Sequence, residues 1–172
     1  MKFAYADPPY YKQGKRLYGK LHDQAAVWDA KQAHWDLIDR LMVEYPDGWA
    51  LSCNPADLPW IIKHDGIRIC VWVKTFHQIR HVSIQYAWEP VLIYGGRKEN
   101  KRKPMVRDWM SGRIAMRKGL VGAKPNEFND WILQLLNYQP GDQLDDLFPG
   151  TNGMAESIAR CEANHSPHSE TI

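Results

Sequence analysis

MKFAYADPPY, at residues 1–10, places a short apolar run directly before an aspartate and two prolines. Proline lacks the N–H that a strand ladder or a helix needs, so this run is predicted to be a strand that ends in a loop at Asp7. The segment LDDLFPGTNG, at residues 144–153, has a similar form and leads into a helical pattern. Because open α/β sheets bind ligands at the carboxyl ends of their strands, both loops are candidate parts of a site.

Strands and helices are predicted to alternate along the chain, which favours an α/β sheet. Apolar residues at three- and four-residue spacing indicate amphipathic helices, as at Phe128, Trp131 and Leu135. The predicted strands are 1–6, 49–53, 67–74, 86–95 and 144–148, and the predicted helices are 24–45, 57–63, 125–136 and 154–163. Residues 11–24 are predicted to form a flexible loop. Residues 97–118 are predicted to form a loop with a short helical piece.

Length and composition suit one globular domain, because the 172 residues are 44% hydrophobic and 24% charged. The net charge of +2 is unevenly distributed. Residues 97–118 carry nine Lys or Arg against two acids, whereas residues 140–172 carry six acids against one Arg. We therefore interpret 97–118 as a basic insert that faces a polyanion, with a solvated surface loop as the alternative.

Other classes of protein are disfavoured by what the sequence lacks. Cys53, Cys70 and Cys161 form no Cys-x-x-Cys pair, which is typical of reduced thiols in a cytoplasmic protein. No apolar stretch approaches the ~18 residues of a membrane span, and the first residues have no apolar signal core, so we expect no membrane association. His77 and His81 have no third ligand nearby, so we expect no metal site.

The sequence Asp7-Pro8-Pro9-Tyr10 has a chemical logic beyond that of a strand-ending turn. An aryl amine presents two N–H donors, and the Asp7 carboxylate and the Pro8 carbonyl can each accept one. This arrangement makes the lone pair of the nitrogen available for attack, while the Tyr10 ring offers a face on which a flipped-out base can stack. The alternative interpretation is a plain turn, since Asp-Pro pairs are common in turns.

Two further segments complete the pattern, each with a structural alternative. Asp146, Phe148, Gly150, Thr151 and Gly153 lie in a strand that leads through a glycine loop into a helix, where glycine allows a close backbone approach to a ligand. Lys124-Pro125 precedes the predicted helix 125–136. Taken singly, the first segment is also a plain strand-to-helix turn and the second a helix start with an early proline.

The chain resembles the DPPY amino-methyltransferases, which act on adenine N6 or cytosine N4. Four motifs carry the resemblance: the catalytic DPPY, a basic insert, Lys-Pro and a glycine loop, in the order of the circularly permuted class. IRICVWVK at 67–74 and YAWEPVLIYGG at 86–96 resemble further strands of that family. The glycines, spaced Gly-Thr-Asn-Gly, are one residue further apart than in the common form.

The resemblance implies a Rossmann-like α/β methyltransferase sheet, circularly permuted, that uses S-adenosylmethionine and methylates adenine N6 in DNA. Asp146 is expected to meet the ammonium group of the cofactor. The implied catalytic residues are Asp7, Pro8, Pro9 and Tyr10, and the implied cofactor residues are Lys124, Pro125, Asp146, Phe148, Gly150, Thr151 and Gly153. The implied nucleic-acid residues are Lys101, Arg102, Lys103, Arg107, Arg113, Arg117 and Lys118.

One departure from the family concerns the carboxyl-terminal end. Typical members continue into another strand whose terminal acid binds the cofactor ribose, whereas here the sequence extends about one helix past the loop, so the fold is expected to be truncated there. That acid is expected to be missing or to come from elsewhere, as from the partner in a homodimer. Three alternatives stay open: methylation of cytosine N4 or RNA adenine, a degenerate member that binds without catalysing, and methylation of a protein or small-molecule amine.

Overall fold

The computed structural model describes residues 1–20, 22–75, 84–98, 105–113 and 124–164. Its strands are β1 (Lys2–Ala6), β2 (Gly48–Ser52), β3 (Arg68–Lys74), β4 (Trp88–Gly95), β5 (Trp109–Gly112) and β6 (Gln143–Asp146). Its α-helices are α1 (Lys31–Glu44), α2 (Leu58–Ile61), α3 (Asn126–Leu136) and α4 (Gly153–Ala163). Among these residues no helix is long and apolar enough to cross a membrane.

The six strands form one mixed sheet in the order β5-β3-β4-β2-β1-β6. β1 lies between β2 and β6 and is parallel to both, with Tyr5 opposite Asp146. β4 is antiparallel to β2 and to β3, and β3 is parallel to β5. The carboxyl ends of the other five strands therefore share an edge of the sheet with the amino end of β4, and we call this edge the site edge.

The helices cover both faces of the sheet, and strand alternation divides the core between the faces. Phe3 and Tyr5 of β1 pack in a cluster with Phe128 and Leu136 of α3. Ala4 and Ala6 point to the other face, where the second cluster includes residues of α1 and α2. β1 is thus buried on both faces, which fixes its position and that of the loop after Ala6.

Two predictions about secondary structure are wrong. The segment predicted as a flexible loop contains a π-helical turn, Gly14–Tyr18, and the predicted helix 24–45 is divided into a 3-10 turn, Ala25–Asp29, and α1. The division falls at Ala30, whose backbone is extended (φ −102°, ψ 136°). The π-helical turn is held by the Asp29 carboxylate, which accepts the backbone N–H groups of Gly14 and Lys15 at 2.8 and 3.2 Å.

The basic insert 97–118 was predicted to lack strands, and this is also wrong. Trp109–Gly112 forms β5 at the edge of the sheet, where it pairs with Val71 to Lys74 of β3. A four-residue edge strand is too short to show a hydrophobic period, and β5 is exposed or half-buried throughout.

Candidate active site

Asp7 and Asp146 lie at the ends of neighbouring parallel strands. Tyr5 is opposite Asp146 in the β1–β6 register, and Asp7 follows two residues later. The two carboxylates interact: burial raises the pKa of Asp146, and the negative charge of Asp7 raises it further. The prediction that residues 3–6 lie parallel and adjacent to residues 144–148 is confirmed.

The Lys124 ammonium joins Asp7 to a second buried acid, Glu89. Its Nζ lies 3.2 Å from Asp7 Oδ2 and donates to the Glu89 carboxylate and to the Tyr10 hydroxyl, the latter at 3.2 Å. Tyr10 in turn donates to Asp7 Oδ1 at 3.4 Å. On the far side of Glu89, Lys74 Nζ donates to Oε2 at 2.7 Å. We call Asp7, Lys124, Glu89 and Lys74 the charged cluster; its two acids and two lysines balance.

Three strand ends and one helix start bring the charged cluster together. Asp7 follows β1, Lys74 ends β3, Glu89 is the second residue of antiparallel β4, and Lys124 lies two residues before α3. Aromatic rings surround the Lys124 ammonium, which lies 5.7 Å from the ring centres of Tyr10 and Trp72 and 5.6 Å from that of Phe128. Ring faces attract a cation, so they stabilise the buried ammonium together with the carboxylates.

Burial and pairing shift the pKa values of the cluster in different directions. Burial disfavours the Glu89 carboxylate, but Lys124 and Lys74 outweigh this and lower the pKa of Glu89 to about 2. Burial likewise disfavours the charged ammonium of Lys124, but Asp7 and Glu89 outweigh it and raise the pKa of Lys124. Burial is the main cause that raises the pKa of Asp7; the like charge of Glu89 raises it further, and the Lys124 ammonium opposes both. Pairing therefore dominates at Glu89 and Lys124, whereas burial dominates at Asp7.

Access to the charged cluster is through its two outer members. The Asp7 and Lys74 side chains are each 23% exposed, whereas those of Glu89 and Lys124 are 5% and 9% exposed. Pro8 is buried, and Pro9 and Tyr10 are half-buried beside it. An incoming group can therefore reach Asp7 and Tyr10, and the buried Lys124 contacts both of them.

The loop after β6 has open space at one of its glycines and close packing at the other. The N–H of Phe148 donates to Asp146 Oδ1 at 3.1 Å. Gly150 has a φ of +45°, and a Cβ added there would meet only the carbonyl oxygen of Phe148, at 3.7 Å. Gly153 is packed instead, because a Cβ there would lie 2.7 Å from Asn129 Nδ2. The loop is thus open at Gly150 and closed against α3 at Gly153.

The predicted cofactor residues separate into two groups. Asp146, Phe148, Gly150, Thr151 and Gly153 lie together in the loop after β6 and the start of α4. Lys124 lies in the charged cluster, and the Pro125 carbonyl accepts the N–H of Phe128 at 3.0 Å, just before α3. Cofactor binding by either group stays a prediction.

The predicted nucleic-acid residues are described only in part. Lys101, Arg102, Lys103, Arg117 and Lys118 lie outside the described residues. Arg107 precedes β5, with its guanidinium 5.8 Å from the Trp109 ring, so it lies at the edge opposite the site edge. Arg113 is exposed and follows β5 at the site edge. Arg107 and Arg113 therefore lie at opposite edges of the sheet and not together.

Glu89 and Lys74 are site residues that the sequence analysis did not identify. Both lie in predicted strands, IRICVWVK at 67–74 and YAWEPVLIYGG at 86–96, but neither was predicted to be a site residue. The available signal was a carboxylate in the otherwise apolar run WEPVLIYG and a lysine at the end of RICVWVK. A charge inside a buried strand needs a partner, and this requirement could have marked Glu89.

A separate groove of about 780 Å³ lies between α3, α4 and residues 105–109. Trp109, Trp131, Tyr138 and Arg160 are among its lining residues, and no member of the charged cluster is. The groove and the charged cluster are therefore separate sites.

Comparison with known proteins establishes the fold. No protein-family model and no curated protein sequence matches the chain. The crystal structure of M1.HpyAVI is similar with a TM-score of 0.56 and 17% identity, over 93% of this chain and 76% of that chain. The crystal structure of the M1.HpyAVI–SAM complex is similar with a TM-score of 0.53 and 14% identity, over 94% and 78%. The predicted α/β sheet is confirmed, and the fold is similar to that of these two structures.

Proposed function

We propose that this chain transfers a methyl group from S-adenosylmethionine to the N6 amine of adenine in DNA. The observation that carries the proposal is the juxtaposition of Asp7 and Asp146 at the ends of β1 and β6. One carboxylate suits the acceptor amine and the other suits the ammonium group of the cofactor. The likeness to a SAM complex supports the same cofactor here.

The loop after β6 fits S-adenosylmethionine by its donor chemistry and its space. Within the described residues only one Asp146 oxygen has a hydrogen-bond partner, the N–H of Phe148, so the other can accept an ammonium N–H. The space beside Gly150 is open. The positive φ of Gly150 favours glycine, which has no side chain to fill that space. When bound, the cofactor supplies an electrophilic methyl group on a sulfonium.

The residues after β1 fit an exocyclic amine. The partly exposed Asp7 carboxylate and the Pro8 carbonyl each accept one N–H of the amine, and the half-buried Tyr10 ring stacks on the base. Lys124 and Tyr10 hold Asp7 at 3.2 and 3.4 Å, which fixes the acceptor before the base arrives. Preorganised hydrogen-bonding groups of this kind supply much of the acceleration in enzymes.

The order of elements supports the permuted class of the DPPY family. The strand before Asp7 comes first in the chain, and the strand before the glycine loop comes last among the six, yet the two are neighbours in the sheet. The basic residues of 97–118 then occupy the place of the base-recognition insert and bind DNA phosphates. Phosphate contacts position the protein on DNA without specifying sequence.

Mass spectrometry of nucleosides tests the proposal. Duplex DNA incubated with the protein and S-adenosylmethionine is expected to yield N6-methyladenine. Asp7→Ala should lower this yield roughly 100-fold or more while cofactor binding persists. Asp65→Ala, which removes an exposed carboxylate at the opposite edge, is the matched control and should retain full activity.

Other products would redirect or refute the proposal. N4-methylcytosine would change the target base, and methylation confined to RNA would change the nucleic acid. Absence of any methylated nucleoside with intact cofactor binding would support a degenerate member that binds without catalysing. Full turnover by Asp7→Ala would contradict the role of Asp7.

A further inference from the structure

A second basic surface follows directly after Tyr10. Residues 11–20 read YKQGKRLYGK, with four basic side chains and no acid. Lys12, Lys15, Arg16 and Lys20 are all exposed. Within the described residues none of the four forms an ion pair. We call these four side chains the basic rim.

The basic rim is carried by a fixed turn beside the site. The Tyr10 carbonyl accepts the N–H of Gln13 at 2.8 Å, so the chain turns back immediately after the DPPY motif. Gly14 is buried against the 3-10 turn, and a Cβ there would overlap the carbonyl oxygen of Ala25. The Tyr11 ring packs on Trp60 with centroids 5.3 Å apart. The segment is therefore a packed element beside Asp7.

The turn also faces the charged cluster. Tyr18 is half-buried, and burial raises its pKa, as do the negative charges of Asp7 and Glu89. Arg16 and Lys20, on either side of Tyr18, are exposed. Because the turn starts directly after Tyr10 and is closed by the Gln13 N–H on the Tyr10 carbonyl, the basic rim lies on the segment next to the Asp7 loop.

The basic rim has no ion-pair partner among the described residues. Asp29 contacts this turn, but its oxygens accept the backbone N–H groups of Gly14 and Lys15. Four exposed cations within nine residues make the local electrostatic potential positive, and a positive potential attracts anions. The phosphates that flank a base at Asp7 are anions of the kind this surface would attract.

We propose that Lys12, Lys15, Arg16 and Lys20 bind the phosphates that flank the target nucleotide. The inference rests on the proposed function and deepens it: the surface that holds the nucleic acid at the reacting base is the segment after Tyr10. Base flipping costs the free energy of unstacking and unpairing, and phosphate contacts beside the flipped nucleotide offset this cost.

A salt titration of duplex binding tests the inference with two charge-matched variants. The first is Lys15→Gln, Arg16→Gln and Lys20→Gln; the control is Lys2→Gln, Arg40→Gln and Arg68→Gln. Lys2 and Arg68 begin β1 and β3 at the opposite edge, and Arg40 lies near the end of α1. Each control side chain already has an acidic neighbour, at 3.9, 3.0 and 3.0 Å.

The rim variant is expected to flatten the plot of log affinity against log salt by roughly 0.9 per lost phosphate contact, or up to about 2.7. Its KM for DNA should rise while its affinity for S-adenosylmethionine stays that of the parent. The control should retain the slope of the parent. An unchanged slope in the rim variant, or equal flattening in both variants, overturns the inference. Methylation by the parent protein supports the proposed function in either case. A parent that neither binds nor methylates DNA overturns both.

Discussion

Glu89→Gln is the substitution that most directly probes the charged cluster. Its carboxylate is 5% exposed and is paired with both Lys124 and Lys74. The fall of the Glu89 pKa from its ordinary value of 4.5 to about 2 corresponds to about 3 kcal/mol of stability at neutral pH. We therefore expect the variant to be less stable than the parent by about 3 kcal/mol at pH 7.

The pH dependence of the difference follows from its sign. A carboxyl group with a depressed pKa in the folded protein stabilises the fold above its unfolded pKa, and the benefit is lost as pH falls through the folded value. About 2 kcal/mol of the parent's advantage should disappear between about pH 5 and pH 3. The raised pKa of Asp7 has the opposite sign, and removal of the neighbouring charge relieves some of its cost, so the measured deficit should be slightly smaller.

Urea unfolding of parent and variant at several pH values measures this difference. The two stability curves should converge as pH falls, because a protonated Glu89 resembles glutamine. Glu44→Gln is the contrast: its side chain is 45% exposed and pairs with Arg40 at 3.0 Å, so its loss should cost about 0.5 kcal/mol or less. A Glu89→Gln deficit that is absent, or that is the same at pH 3 and pH 7, would refute the reasoning.

Three further substitutions test other parts of the site. Lys124→Met leaves two acids facing each other in a buried place, so urea unfolding at pH 7 should show a loss of about 3–5 kcal/mol, and an unchanged midpoint would contradict the cluster. Gly150→Val should abolish cofactor binding in calorimetric titration. Gly141→Val, at another positive φ with open space around it, should only strain the backbone. Equal loss of cofactor affinity in both variants would contradict the cofactor role of Gly150. Replacing 101–103 with alanine should flatten the salt dependence of duplex binding by up to about 3 units, and an unchanged slope would count against that part of the insert.

The sequence predicts the sheet where short-range pattern and chemistry agree. The β1 strand and its neighbour β6 were expected side by side because each ends in a loop with a carboxylate suited to one reactant. Apolar periodicity likewise predicted α3, although its bounds differ by a residue. The apolar period of α3 lies within a few residues, whereas the β1–β6 pairing was inferred from the chemistry that the two loops would have to share.

Features that depend on distant contacts were not predictable in this way. The π-helical turn is held by Asp29, about fifteen residues away, and its own sequence has no helical period. Lys124 meets Glu89 across 35 residues, and only the antiparallel direction of β4 brings Glu89 to the site edge. The sequence identified Lys124 as part of the site, but its partners became evident only from the pairing of the strands.

The position of β1 has a consequence for how the molecule forms. This strand is synthesised first among the six, yet one of its two neighbours is β6. The paired residues Lys2 of β1 and Gln143 of β6 are 141 positions apart in the sequence. Until β6 is synthesised, one row of backbone donors and acceptors on β1 has no native partner, and such an edge is prone to pairing with other chains. Parallel pairing at this separation raises the contact order, which slows folding. We expect a slow folder whose early intermediates are aggregation-prone, and whose reactive centre is incomplete until β6 has paired with β1.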